Sequence, residues 1–285
     1  MHFLIFKLRG VFFMSLISIQ NLTFGYDGTA YNVFESLNLQ LDTNWRCGLT
    51  GRNDRGKTTL LRLLAGEFAY GGNIMASVKF DYFPYTPTRP DDSTIEVLES
   101  VCGKVQQWSI ERELSLLGLG SEFDKPFNLL SEGQKTRALL AAMFLKKGAF
   151  PLIDEPTNHL DIEGRQMLVK YLKQKSGFLL ISHDRAFIDE CIDHIISINR
   201  TDVEVRAGSF SSWYKDRIEK DEAEKLKDAK LKREAAVFEE SARQAGAWAD
   251  KVEKSKKRGT KFRPESGPWI CRRKVGENDE TGKIS

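Results

Sequence analysis

The sequence predicts an α/β fold with parallel strands, because two apolar runs flank a stretch of helical character. Residues 150–153 and 178–181 are wholly apolar, which is typical of short strands buried on both faces of a sheet. Residues 164–175, between these runs, have the spacing of a helix. Strands that alternate with helices along the chain predict an α/β core.

The part of the chain before these runs divides into a strand-rich segment and a helical segment. Residues 15–83 are rich in strand patterns, and prolines break the chain within 86–90. Apolar residues then recur at helical spacing over 95–119, and helical character resumes over 131–147. We therefore predict a helical subdomain at about residues 87–147.

The N-terminal residues are apolar, but Lys7 and Arg9 interrupt them. The segment falls short of the roughly 20 apolar residues of a spanning helix, so no membrane span is predicted. Met14 is a natural start for the first domain. We expect 1–13 to be a start-site extension and the first domain to cover 14–212.

After residue 212 the composition shifts to Lys, Glu, Asp and Ala, with apolar residues in a narrow helical seam. This pattern predicts an amphipathic helix over 213–258. Its basic residues have two interpretations, contact with RNA phosphates or a solvated face, since acidic residues lie among them. Residues 259–285 show no periodicity, and we expect a disordered tail.

Charge and cysteine content narrow the function classes. The net charge of +3 is too small to indicate nucleic acid binding by itself. The four cysteines are scattered, so neither a zinc site nor a disulfide framework is indicated. A reducing, cytoplasmic location fits this cysteine usage best.

Residues 51–58 read G-R-N-D-R-G-K-T and fit the phosphate-binding pattern G-x-x-x-x-G-K-[ST]. In such a loop, backbone N–H groups point at the phosphates, Lys57 neutralises their oxygens and Thr58 offers its hydroxyl to Mg²⁺. A chance match is the alternative, but a predicted strand over 45–50 and a helix from Lys57 argue against it. The residues predicted to bind the nucleotide phosphates are Gly51, Arg52, Asn53, Asp54, Arg55, Gly56, Lys57, Thr58 and Thr59.

Two carboxylates follow the first apolar run, at the sheet edge where ligands of open α/β folds bind. Asp154 is predicted to hold Mg²⁺, and Glu155 to orient and deprotonate the water that attacks the γ-phosphorus. The alternative is an acidic surface pair at the end of a strand. The phosphate loop upstream favours the catalytic interpretation.

The helix-start capping pattern S-x-x-Q is matched by Ser131, Glu132, Gly133 and Gln134. The same segment is a candidate anion site, because a capped helix start with a glycine admits close approach to backbone N–H groups. The two interpretations are compatible if another domain places the γ-phosphate of its bound nucleotide at this helix start.

Two further residues are candidates for contact with the nucleotide. His183 follows the second apolar run, so it reaches the same edge of the sheet and is predicted to contact the γ-phosphate. Tyr26, which lies beside a turn, could stack on a base or simply pack against its neighbours. The sequence leaves both options open for Tyr26.

Together these motifs resemble an ATP-binding cassette over about residues 16–212. LSEGQ is similar to the LSGGQ signature, IDEP to the Walker B motif, Leu160-Asp161 to the D-loop and His183 to the H-loop residue. The string DEPTNHLD at 154–161 is typical of the ABC-F family, soluble paired cassettes that act on ribosomes. Residues 82–85, together with the charged helix, resemble the branch that confers resistance to lincosamides, streptogramin A and pleuromutilins.

The resemblance implies that ATP and Mg²⁺ are held between two cassettes, with the signature segment serving the partner's nucleotide. The partner would be a second copy or a separate chain, and the ribosome with its RNA would be the target. Family members carry both cassettes and a helical hairpin on one chain, so we expect a truncated or frameshifted member.

Two departures from the family pattern bear on ATP hydrolysis. Asp54 stands where cassettes often have glycine, and Tyr85 stands where the Q-loop glutamine is expected. The resemblance therefore implies an ATPase that is slow and depends on a partner. Two other functions stay open, the ATPase subunit of a membrane transporter and a nucleotide-binding fragment that does not hydrolyse.

Overall fold

The computed structural model describes residues 16–29, 31–51, 56–121, 124–198 and 203–257. The predicted start extension, the tail 259–285 and phosphate-loop residues 52–55 lie outside the described residues. The described chain forms two compact units, one ending at Ile218 and one starting at Glu219.

Nine strands form two sheets within the described ranges of the first unit. They are β1 (Leu16–Phe24), β2 (Phe34–Asp42), β3 (Arg46–Thr50), β4 (Gly71–Met75), β5 (Lys79–Phe83), β6 (Ala149–Asp154), β7 (Phe178–Ile181), β8 (His194–Ile198) and β9 (Val203–Ala207).

The larger sheet has the order β5-β6-β7-β3-β8-β9. All neighbouring pairs are parallel except β8 and β9, which are antiparallel. The two apolar runs are its adjacent strands β6 and β7, and β7 is buried at every position. The predicted α/β fold with a parallel sheet is therefore confirmed.

The smaller sheet is antiparallel, with the order β2-β1-β4. Its apolar residues share one core with β3 and with the helix that follows β3, including Ile17, Leu41, Leu49 and Leu60. A second core lies between the parallel sheet and the helices after β5. The two cores cover opposite faces of the parallel strands, which explains why residues 150–153 of β6 and all of β7 are apolar.

Seven α-helices complete the described chain. They are α1 (Lys57–Leu64), α2 (Thr94–Cys102), α3 (Gln107–Leu116), α4 (Glu132–Leu145), α5 (Ile162–Lys173), α6 (Arg185–Cys191) and α7 (Phe210–Lys257). The helical stretch predicted over 95–119 is in fact two helices. Gly103, with φ of 79°, ends α2 in a conformation that a helix cannot continue through.

The last helix, α7, crosses from the first unit into the second. Its first turn belongs to the first unit, where Phe210 is buried and the Ser211 N–H donates to Asp189 Oδ1 at 2.8 Å. Beyond Ile218 it carries exposed apolar side chains, including Leu226 and Phe238. In the part of the chain that the structure describes, no helix has the length and apolarity needed to cross a membrane.

Candidate functional site

A cavity of about 370 Å³ lies where α1 meets the carboxyl ends of the parallel strands. It brings together residues from the phosphate loop, the carboxylate pair and the segment after β7, which are far apart in sequence. The lining residues are Gly56, Lys57, Thr58, Thr59, Asp154, Glu155, Ile181 and His183.

The strand order explains why these residues meet. Strand β3 leads into the phosphate loop and pairs in parallel with β7, which pairs in parallel with β6. Parallel strands end at the same edge, so the segments after β3, β6 and β7 converge there. This edge is the usual ligand position of open α/β sheets.

The start of α1 has features that suit an anion. Gly56 is the N-cap residue with φ of 80°, and no side chain among the described residues caps this helix. A Cβ at Gly56 would lie 2.5 Å from Val33 Cγ1, so glycine is required for both space and conformation. Lys57 Nζ donates to the Gly51 carbonyl at 3.2 Å, which holds the ammonium near the end of β3.

Glu155 occupies a constrained position after β6. Its backbone has φ of 48°, and its N–H donates to the Ile181 carbonyl at 2.9 Å. Left-handed conformations are costly for residues other than glycine and cluster at functional sites. The constraint turns the Glu155 side chain toward the segment after β7.

The Glu155 carboxylate has one satisfied and one unsatisfied oxygen. Oε2 accepts the His183 backbone N–H at 3.1 Å, whereas Oε1 is buried without a hydrogen-bond partner in the described chain. His183 Nε2 lies 3.4 Å from Oε1. Burial raises the pKa of Glu155, and the hydrogen bond from His183 opposes that rise. A buried acceptor of this kind is suited to take a proton from water.

Asp154, at the end of β6, has a partner that the sequence analysis missed. The Tyr82 hydroxyl donates to Asp154 Oδ2 at 3.1 Å. Burial raises the pKa of Tyr82, so its hydroxyl stays protonated as a donor. The nearby Arg62 guanidinium on α1 opposes part of that rise in pKa. The sequence signals for Tyr82 were its place near the end of a strand and its part in the segment 82–85, and neither pointed to Asp154.

Tyr85, the residue in the Q-loop position, belongs to a different cluster. Its hydroxyl donates to Asp81 Oδ2, and Lys146 Nζ donates to Asp81 Oδ1 at 2.8 Å. Lys146 Nζ also lies 4.6 Å from the centre of the Tyr85 ring. Tyr85 is therefore engaged by neighbours from β5 and the end of α4, and it is not among the residues that line the cavity.

Tyr26 is tied to the phosphate-loop helix. Its hydroxyl lies 2.9 Å from Thr59 Oγ1, and its ring packs edge-on against Phe24 and Phe68. The side chain is still 41% exposed. Packing, one of the two options left open, is thus present, and the exposed area leaves room for a base.

The signature segment forms the predicted capping box. Gln134 N–H donates to Ser131 Oγ at 3.2 Å, and Ser131 N–H donates to Gln134 Oε1 at 2.8 Å. Glu132 pairs with Lys135 at 2.8 Å. A Cβ added to Gly133 would lie 2.8 Å from the His159 carbonyl oxygen. None of the four segment residues is among those that line the described cavity.

The residues around the cavity fit a nucleotide phosphate group with a magnesium ion. An uncapped helix start and Lys57 suit phosphate, while the Thr58 hydroxyl and the Asp154 carboxylate are oxygen ligands of the kind Mg²⁺ takes. Such an ion is generally held by few protein ligands together with substrate phosphates.

Comparison with known proteins agrees with this geometry. Residues 34–158 match the model of the family described as ABC transporter. The described fold is that of an ATP-binding cassette domain. By structure, the cassette resembles a bacterial Atm1-family ABC exporter with ATP bound, with a TM-score of 0.60 and 17% identity over 70% of this chain and 40% of the exporter chain. At that identity the likeness establishes the fold alone.

Curated relatives of the cassette include proteins named for the F family. ABC transporter F family member 2 of Arabidopsis thaliana is 29% identical over 78% of this chain and 34% of its own length. YheS of Escherichia coli strain K12 is 31% identical over 70% of this chain and 33% of its own length. The matches thus span about a third of these relatives.

Proposed function

We propose that this chain is an ABC-F type cassette that binds and hydrolyses ATP with Mg²⁺ and acts on the ribosome in the cytoplasm. The observation that carries the hydrolytic part is the Glu155 carboxylate, whose buried Oε1 has no hydrogen-bond partner among the described residues. The ribosomal part is supported by the string DEPTNHLD and by relatives named for the F family.

Each residue of the cavity has a separate role in this proposal. Lys57 and the N–H groups at the start of α1 hold the phosphates, and Thr58 with Asp154 holds the metal ion. When bound, Mg²⁺ neutralises charge on the phosphate oxygens. In this proposal Glu155 Oε1 accepts a proton from the attacking water, and His183, whose Nε2 lies 3.4 Å from that oxygen, contacts the γ-phosphate.

A second cassette completes the site, either another copy of this chain or a separate protein. The support is the position of Ser131 and Gly133, which start α4 but do not line the described cavity. Their helix start would face the γ-phosphate held by the partner. Hydrolysis is accordingly partner-dependent, and it is slow because Tyr85, engaged by Asp81 and Lys146, replaces the expected glutamine.

For the biological role we propose ribosome protection, which counters antibiotics bound near the peptidyl-transferase region. This narrower assignment is supported by residues 82–85 and by the charged helix α7. Within α7, the lysines at 225, 227, 230 and 232 are exposed and could contact ribosomal RNA phosphates.

A sedimentation experiment tests the proposal. The Glu155→Gln variant, which should bind ATP without hydrolysing it, is mixed with 70S ribosomes with and without ATP. We expect ATP-dependent sedimentation that weakens as salt rises. A Lys57→Ala Glu155→Gln double variant is the matched control and should stay in the supernatant.

The outcomes separate the parts of the proposal. ATP binding without sedimentation would contradict the ribosomal role, and association with membranes instead would favour a transporter subunit. Failure to bind ATP would contradict the whole proposal. A rate of hydrolysis per chain that rises with chain concentration would support a second copy as the partner.

A further inference from the structure

Tyr82 lies between the phosphate-loop helix and the carboxylate strand. Strand β5 pairs in parallel with β6, and Tyr82 is opposite Leu152 in this register. From there its hydroxyl reaches Asp154, 72 residues away in sequence, and donates to Oδ2 at 3.1 Å. The contact is with the residue proposed to hold Mg²⁺.

Arg62 extends this contact to α1. Burial raises the pKa of Tyr82 and the nearby Arg62 guanidinium opposes that rise, while Arg62 Nε lies 3.8 Å from Glu67 Oε2. The guanidinium can only donate, so it favours the lone pairs of the Tyr82 oxygen and leaves the phenol proton to Asp154. Tyr82 therefore lies between Arg62, on the helix that begins at Lys57, and Asp154, at the end of β6.

We propose that Tyr82, supported by Arg62, is a positioning residue that sets the orientation of the Asp154 carboxylate toward the metal ion. A hydrogen bond to Oδ2 limits rotation of the carboxylate and directs the other oxygen, Oδ1. Outer-shell partners of this kind tune metal affinity strongly. The inference rests on the proposed binding of ATP with Mg²⁺.

Tyr85 supplies a matched control within the same short segment. It is also a partly buried tyrosine that donates to a carboxylate, but its acceptor is Asp81. Asp81 does not line the cavity, whereas Asp154 does. Removing either hydroxyl costs one phenol–carboxylate hydrogen bond, yet only Tyr82→Phe should change the Mg²⁺ concentration needed for nucleotide binding.

The test measures binding of a fluorescent ATP analogue to the full chain as Mg²⁺ is titrated. In Tyr82→Phe the Mg²⁺ concentration for half-maximal binding should rise about tenfold, and in Tyr85→Phe it should not change. Arg62→Met should also raise the Mg²⁺ concentration for half-maximal binding. The double variant Arg62→Met Tyr82→Phe should raise it no further than Tyr82→Phe alone. Thermal unfolding without nucleotide shows that each variant is folded.

The result that overturns the inference is an unchanged Mg²⁺ requirement in folded Tyr82→Phe. Equal shifts in Tyr82→Phe and Tyr85→Phe would also overturn it, because they would indicate a general effect of β5. If Tyr82→Phe does not fold, the Mg²⁺ requirement of Arg62→Met alone tests the inference. Failure of the proposed function is distinguishable, since Lys57→Ala would then bind the analogue as well as the unsubstituted chain.

Discussion

His183 Nε2 lies 3.4 Å from Glu155 Oε1, although 28 residues separate the two in the chain. The pairing of β6 with β7 brings the residues together at the ends of parallel strands. The Glu155 side chain is 18% exposed and that of His183 is 69% exposed. The carboxylate is thus sheltered, while the imidazole can reach a ligand in the cavity.

Glu155→Gln should lower the ATP hydrolysis rate at least about 100-fold, because an amide cannot accept a proton from water. ATP affinity should stay close to that of the unsubstituted chain, since Lys57 and the α1 start are unchanged. Phosphate release and equilibrium ATP binding measure the two quantities. Glu163→Gln, at an exposed acid in the first turn of α5, is the control. Retained hydrolysis in Glu155→Gln would exclude Glu155 as the base.

Stability should depend on pH through Glu155. Burial raises its pKa above the ordinary value of 4.5, so the folded chain binds this proton more tightly than the unfolded chain. Stability from this group is therefore lost as pH rises from the ordinary value through the raised one. Glu155→Gln removes that loss, so its stability relative to the unsubstituted chain should increase as pH rises above 4.5. Urea unfolding at several pH values checks this, and a difference independent of pH would contradict it.

Two substitutions at Ser131 separate helix capping from phosphate contact. Ser131→Ala removes the acceptor for the Gln134 N–H and should lower the free energy of unfolding by about 1 kcal/mol. Ser131→Asp keeps a cap, so stability should be retained, but its charge should repel the partner's γ-phosphate. Urea unfolding and ATP-dependent dimerisation of the Glu155→Gln chain measure both effects. Normal dimerisation of the Ser131→Asp form would argue against phosphate contact at this helix start.

The glycine of the signature segment should tolerate no side chain. In Gly133→Ala the Cβ would lie 2.8 Å from the His159 carbonyl oxygen, so unfolding free energy should fall by about 1–3 kcal/mol. Gly246→Ala is the matched control in α7, where an added Cβ meets no atom of the described chain within 4 Å. It should stabilise its helix by up to about 1 kcal/mol. Equal effects of the two changes would show that the His159 carbonyl imposes no constraint.

Short-range patterns predicted much of the fold and of the site. The apolar runs of β6 and β7 indicated parallel strands because both faces of that sheet are covered. The capping box at Ser131 was readable because its partners lie within one helical turn. The break between α2 and α3 was missed, since apolar spacing continued past Gly103 while the backbone there left the helix.

The sequence by itself predicted the kind of chemistry, because the phosphate loop and the carboxylate pair are local motifs whose residues are adjacent in the chain. Only the tertiary structure decided which other side chains contact the residues of these motifs. Tyr82 reaches Asp154, while Tyr85, three positions later, reaches Asp81 and Lys146. The physical reason is that strand register and side-chain direction in a sheet are set by pairing between distant segments, which no local pattern records.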